Sequence, residues 1–428
     1  MGFATSWLEK RALFPLIFAE SPDKGTGIIV VVPAFNEPGI TTLLDSLSQC
    51  SEPECRTEVI IIVNARQDAS QEGISNNKIC ISRINSWKEE NKNCFFRLLV
   101  FDAGLSDLRD WGAGMARKTG MDEALRRFNE IDKPDGVIVS LDADCMVAEN
   151  YFTSICDELL KKKERSACSI YFEHLLEGDE YPEINYRYIT LYELHMRYYA
   201  RGLDYSGFPY PFHTIGSALA VKALDYMKAG GMNRRRAGED FYFIQKLVPR
   251  GGFFFLNTTT VYPSSRTSSR APFGTGAAMI KFIENPGQDF LTYNINAFRE
   301  LRSLFAGIES LYNSDACQLR EYYKKLSAGL RSFISEEEWF RQISEIQANT
   351  AGAGSFRKRF FGWFNMFMIV RYMNHVHSGI FKKQAVTEAA MELLSLTGVP
   401  EPEHNPYDVL LTYRNLERAS NLSKILAN

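Results

Sequence analysis

The chain has no long apolar run, no Cys-x-x-Cys pair, no Gly-x-Gly-x-x-Gly after its first strand-like segment and little net charge. Each absence removes a class of protein. The apolar stretch Phe360 to Val370 is too short to span a bilayer. Ala12 to Ala19, behind Lys10-Arg11, mimics a signal peptide only loosely: Glu9 precedes it and no small-residue cleavage site follows. Met1-Gly2 with Ser6 fits a myristoylation pattern that is common by chance. The eight cysteines lack zinc spacing, and a chain of 428 residues does not need a disulfide framework. They read as reduced thiols of a cytoplasmic protein. A formal charge of −3 gives no reason to expect nucleic-acid binding. The missing glycine fingerprint disfavours a dinucleotide-dependent dehydrogenase.

What is present is an ordinary globular composition, 45% hydrophobic and 24% charged, with 30 Phe and 20 Tyr. Aromatic rings mostly build cores, and they also pack on the C–H faces of sugars. Gly27 to Pro33, Glu58 to Val63, Phe95 to Phe101 and Gly136 to Leu141 are apolar runs rich in β-branched or aromatic residues. Helical patterns at Gly39 to Gln49 and Arg109 to Phe128 lie between them. Such alternation predicts an α/β fold with a mostly parallel sheet flanked by helices. Strand-like segments recur at Ala167 to Phe172, Ser217 to Val221 and Phe253 to Leu256. From about Asn285 helical periodicity takes over, with Ser335 and Glu338 forming a capping box and a further helix over Gln384 to Leu396. The predicted plan is an N-terminal segment (1–26), a catalytic domain (27–280) and a helical C-terminal region (281–428).

Three motifs carry chemistry. In Val139-Ser140-Leu141-Asp142-Ala143-Asp144 an apolar strand runs into two carboxylates at i and i+2. Side chains two apart point the same way on a strand. The carboxyl edge of a parallel sheet is also where open α/β folds bind ligands. Two hard oxygen donors there suit Mg²⁺ or Mn²⁺, shared with substrate phosphates and water. The second motif is Pro33-Ala34-Phe35-Asn36-Glu37: the proline ends the first strand, and the polar pair after it is placed to wall a nucleotide pocket, Glu37 toward base or ribose. The third is Gly238-Glu239-Asp240 before the apolar helical run Phe241 to Val248. A carboxylate in a first helical turn stays ionised. It can then take the proton of an attacking hydroxyl. Arg266 and Arg270, four apart in Pro263 to Gly276, can stabilise a diphosphate leaving group.

The order of PAFNE, LDAD and GGMNRRRAGED resembles the family-2 glycosyltransferases and their relatives with the GT-A fold, over roughly residues 27 to 275. The resemblance implies a nucleotide-sugar donor and a carbohydrate or lipid-linked acceptor. It implies Pro33, Ala34, Asn36 and Glu37 around the nucleotide, and Asp142 and Asp144 on the metal and donor. Asp240 would be the base of an inverting enzyme, with Glu239 beside the acceptor. Gly112, Gly114, Arg117 and Lys118 match a segment that lines the donor diphosphate, and Gly216-Ser217 matches a small-residue loop on the acceptor side.

Two departures stand out. Where many members carry an acidic motif after the second strand, this chain has Asn64-Ala65-Arg66-Gln67-Asp68, leaving Asp68 as the substitute. After Asp240 the nearest histidine is His375, so no third metal ligand is evident; His213 is a candidate on the acceptor side. A retaining glycosyltransferase, a nucleotidyltransferase and a non-catalytic sugar-binding protein are the competing readings. Arg357-Lys358-Arg359 before Phe360, Phe361, Trp363 and Phe364 allows peripheral contact with an anionic membrane, or simply a helix start with a buried aromatic face.

Overall fold

The computed structural model describes residues 2–106, 111–234, 238–267, 275–284 and 289–420. The chain forms two compact units, Met1–Tyr186 with Thr214–Lys281 and Glu417–Asn428, and Arg187–His213 with Phe282–Leu416.

The first unit is built on an eight-stranded sheet. Its strands are β1 (Thr26–Ala34), β2 (Arg56–Arg66), β3 (Phe96–Ser106), β4 (Val137–Ser140), β5 (Met146–Val147), β6 (Ala167–Phe172), β7 (Leu219–Lys222) and β8 (Phe253–Tyr262). The order is β3-β2-β1-β4-β7-β6-β8-β5. β3, β2, β1 and β4 run parallel, β7 is antiparallel to β4 and β6, and β6 is parallel to β8. β1 is buried along its whole length, as its run of isoleucine and valine requires of a central strand. Pro33 does not end it: β1 continues to Ala34 against β2, and Pro33 lies beyond the last β4 partner, Val31↔Ser140. This is the mostly parallel α/β architecture that the alternating pattern predicts.

Helices Ile40–Ser48, Gln71–Glu90 and Ala113–Glu130 flank the sheet. The last of these is buried continuously from Gly114 to Leu125, although seven of those twelve residues are polar or glycine. Gly120 permits the close approach, since a Cβ there would fall 2.4 Å from Val31 Cγ1. The buried charges are paired: Lys118 Nζ lies 2.7 Å from Asp122 Oδ2, and Arg127 Nη2 donates to Glu58 Oε1 at 2.7 Å. A buried charge persists only with such partners.

The second unit is helical. Its buried Glu193 accepts Arg197 Nε at 2.8 Å and Arg414 Nε and Nη2 at 2.7 and 2.8 Å. The expected capping box at Ser335 is half made. Its hydroxyl accepts the Glu338 N–H at 3.2 Å, while the Glu338 carboxylate turns to Arg341 and Gln342. Arg357 stacks over Phe361 and pairs with Glu309, and Phe360, Phe361 and Phe364 are buried. The aromatic face behind the basic triplet is therefore core. Among the described residues no helix is long and apolar enough to cross a membrane.

Candidate active site

Strand direction alone brings the distant motifs to one edge. β1, β3 and β4 are all parallel within their half of the sheet, so their carboxyl ends share that edge. There the chain leaves β1 as Phe35-Asn36-Glu37, leaves β4 as Leu141-Asp142-Ala143-Asp144, and leaves β3 toward the helix that carries Arg117. Two antiparallel pairings, β4 to β7 and β7 to β6, restore the original direction, and β8 is parallel to β6. The end of β8, with Arg266 four residues on, thus reaches the same edge. β7 runs the other way, so its start, preceded by Gly216-Ser217, is there too.

At that edge two arginines hold four carboxylates. Arg117 Nη2 lies 2.6 Å from Asp142 Oδ1, and Arg117 Nη1 pairs with Glu239. Arg266 Nη2 lies 2.6 Å from Asp144 Oδ2 and also pairs with Glu37. The two arginines differ in access. The Arg117 and Glu239 side chains are each 5% exposed, whereas Asp142, Asp144 and Arg266 are 40%, 28% and 26% exposed. Arg117 is a fixed strut between the β4 edge and the Glu239–Leu247 helix; the other three are partly exposed to solvent. Gly216 makes room for the strut: a Cβ there would sit 2.9 Å from the Arg117 Cζ, Nη1 and Nη2. Although burial works against its charge, Glu37 and Asp144 hold the Arg266 guanidinium above the ordinary arginine range.

Asp240 adds a further carboxyl group, next to Arg117 and Asp142. Burial raises its pKa, and the Asp142 charge adds to the rise. Arg117 and the N–H groups of Phe241 and Gly216 work against it. The Phe241 N–H donates to Asp240 Oδ1 at 2.7 Å. Opposed effects of this kind are how a site brings a carboxyl group toward the working range of a general base.

The structure distributes the remaining sequence-derived residues as follows. Pro33 and Ala34 lie in β1 itself. Asn36 adopts a left-handed backbone (φ 58°) and is braced from the Gln71–Glu90 helix. Its N–H donates to Asn77 Oδ1 at 2.9 Å, and its side chain accepts Asn76 Nδ2 at 2.6 Å. Asn77 Nδ2 also donates to the Asn64 carbonyl at 2.9 Å, tying the β1 turn to β2. These two asparagines escape the motif reading; the available signal is an Asn-Asn dipeptide inside a helix, where asparagine is a poor former. Asp68 is exposed and pairs with Arg66 at 2.5 Å. Ser217 is buried next to Gly216. Lys118 is committed to Asp122. His213 belongs to the second unit. Arg270 lies outside the described residues.

No family model matches the chain, and no curated protein does. Solved structures with a likeness to it include the 1–349 portion of TarS from S. aureus in complex with UDP-GlcNAc, at 15% identity, TM-score 0.38 and 91% coverage of both chains. Another is the mannosyltransferase PcManGT from Pyrobaculum calidifontis with GDP-Man and Mn²⁺, at 13% identity and TM-score 0.32, covering 97% of this chain and 92% of that one. A third is glucosyl-3-phosphoglycerate synthase of M. tuberculosis, at 14% identity and TM-score 0.35, covering 63% of this chain and 85% of that one. Likenesses of this size carry no chemistry over; what this chain can do follows from its own residues.

Proposed function

We propose that the chain is a glycosyltransferase that moves a sugar from a nucleotide-diphosphate donor to an acceptor hydroxyl with inversion, assisted by a divalent cation. The observation that carries this reading is the meeting, at one sheet edge, of an accessible carboxylate pair, an accessible arginine and a half-buried carboxyl group with a raised pKa.

Asp142 and Asp144 would hold Mg²⁺ or Mn²⁺. The fit is one of donor chemistry: both are hard oxygen ligands, both are open to solvent, and they follow one strand at i and i+2. Among the described residues no group of three or more His, Cys, Asp or Glu is arranged to hold a metal. Donor phosphates and water would complete such a shell, as is common for Mg²⁺. When bound, the cation offsets charge that develops on the departing nucleoside diphosphate. Arg266 adds charge-assisted hydrogen bonds to the same oxygens. Pro33, Ala34, Asn36 and Glu37 form the nucleotide side, with Asp68 at the end of β2. Arg117 holds Asp142 and Glu239 in register with the donor. Asp240 accepts the acceptor's hydroxyl proton as that oxygen attacks the anomeric carbon, and Gly216 and Ser217 border the acceptor.

Asp144→Asn tests the donor side. Titration calorimetry with UDP and GDP in the presence of Mn²⁺ is expected to show at least a tenfold loss of affinity against wild type. Undiminished affinity would remove Asp144 from the donor site.

A further inference from the structure

We infer that Arg266 is a placeholder cation, holding the metal-side Asp144 together with Glu37 while the site is empty of donor and exchanging onto the donor's diphosphate when cation and nucleotide arrive together. This rests on the proposed function and goes one step beyond it.

Two observations separate Arg266 from the other arginine of the site. First, it bridges the two ligand-bearing turns, since one guanidinium pairs with Glu37 behind β1 and with Asp144 behind β4. A divalent ion bound to Asp144 would sit close beside that guanidinium, and like charges at so short a range repel, so the pairing disfavours the bare ion. Second, the side chain is a quarter exposed while the backbone beneath it is pinned. Asn185 Nδ2 donates to the Ser265 carbonyl at 3.1 Å, the Arg266 N–H donates to Ser264 Oγ at 3.2 Å, and Ser264 Oγ lies 2.8 Å from the Tyr181 hydroxyl. The guanidinium can therefore leave by side-chain rotation about a fixed Cα. Arg117, closed in over Gly216, has no such route.

The exchange has a definite sign. Before donor binds, Arg266 opposes cation entry. Afterwards the diphosphate gives the displaced fork a bidentate partner, and the cation takes the carboxylate. Metal and nucleotide then bind with positive coupling, each clearing the way for the other.

The test uses the full chain and two probes. Mn²⁺ alone is titrated by electron paramagnetic resonance, and UDP and GDP are titrated by calorimetry at saturating Mn²⁺. Arg266→Gln is expected to bind bare Mn²⁺ at least tenfold tighter than wild type, and the nucleoside diphosphate at least tenfold weaker. A merely structural role would move both affinities in the same direction. Arg266→Lys, which keeps the charge, is expected to bind bare Mn²⁺ as weakly as wild type. Unchanged or weaker Mn²⁺ binding by Arg266→Gln, with Asp144→Asn still abolishing it, overturns the exchange alone. Mn²⁺ binding that survives in Asp144→Asn overturns the metal reading, and the exchange with it.

Discussion

Asp240→Asn is expected to lower the transfer rate by about a thousand-fold, within the range of roughly 10² to 10⁴ that a positioned general base supplies, while nucleotide binding changes by no more than about threefold. The amide keeps the shape of the carboxylate, and its oxygen can still accept the Phe241 N–H that Asp240 Oδ1 accepts now. What it loses is the ability to take up a proton. Only the ionised carboxylate of the wild type can do so. Because burial raises the Asp240 pKa, the fraction ready to act is small at low pH and grows as pH rises through that raised value. The wild-type rate should therefore climb on the acid side at a pH above the ordinary aspartate range, and the variant should lack that limb. Steady-state kinetics across pH, paired with calorimetry, reads both. Full activity in Asp240→Asn would take the base role from this residue.

The second large effect concerns stability. Arg117→Met leaves Glu239 in a site where its side chain is 5% exposed, without the guanidinium that faces it. Breaking a buried pair from one side costs about 3–5 kcal/mol, because the stranded charge has no water to return to. The expected result in chemical denaturation is a loss of that size, together with weakened nucleotide binding as Asp142 loses its brace. Adding Glu239→Gln should recover more than half of the lost stability without recovering binding, since the stranded charge is gone but the Asp142 contact is not restored. Arg117→Lys should not rescue either property, because a point charge cannot serve Asp142 and Glu239 from two nitrogens of one plane. If Arg117→Met unfolds within about 1 kcal/mol of wild type, the pair is not the strut described.

These residues also show how far the sequence could be read. β1 and β4 were legible because a central parallel strand is covered on both faces and so becomes an unbroken apolar run. The carboxylates after β4 were legible for the same reason: their place at a strand end is written in the residues just before them. The Gln71–Glu90 helix was not. Its buried stripe is Gly73, Asn77, Cys80, Ile84 and Trp87, at correct helical spacing but opening on a glycine and an asparagine that a hydrophobic pattern does not register. The state of Arg117 was hidden too. A basic pair at a helix start suggests an exposed phosphate contact, yet that helix is covered on every side, and only long-range pairing with Asp142 and Glu239 shows where the charge is met.

The sequence around Arg266 suggests a cation for phosphate. The engagement of Arg266 with Glu37, 229 residues earlier in the chain, depends on the β7 reversal that returns β8 to the common edge, which no local pattern encodes. The compact units show the same limit. A change of periodicity near residue 285 suggests one cut, but Arg187–His213 joins the later helices through contacts such as Glu193 with Arg414.

The proposed function is tested most directly by a thermal-shift series of UDP-, GDP- and dTDP-sugars on the wild-type chain, with and without Mn²⁺. At least one nucleotide sugar is expected to raise the melting temperature by several degrees with Mn²⁺ and markedly less without it, which follows if carboxylates and diphosphate share the ion. Absence of metal-dependent stabilisation by every nucleotide sugar in the series would contradict the assignment of Asp142 and Asp144 to a donor site.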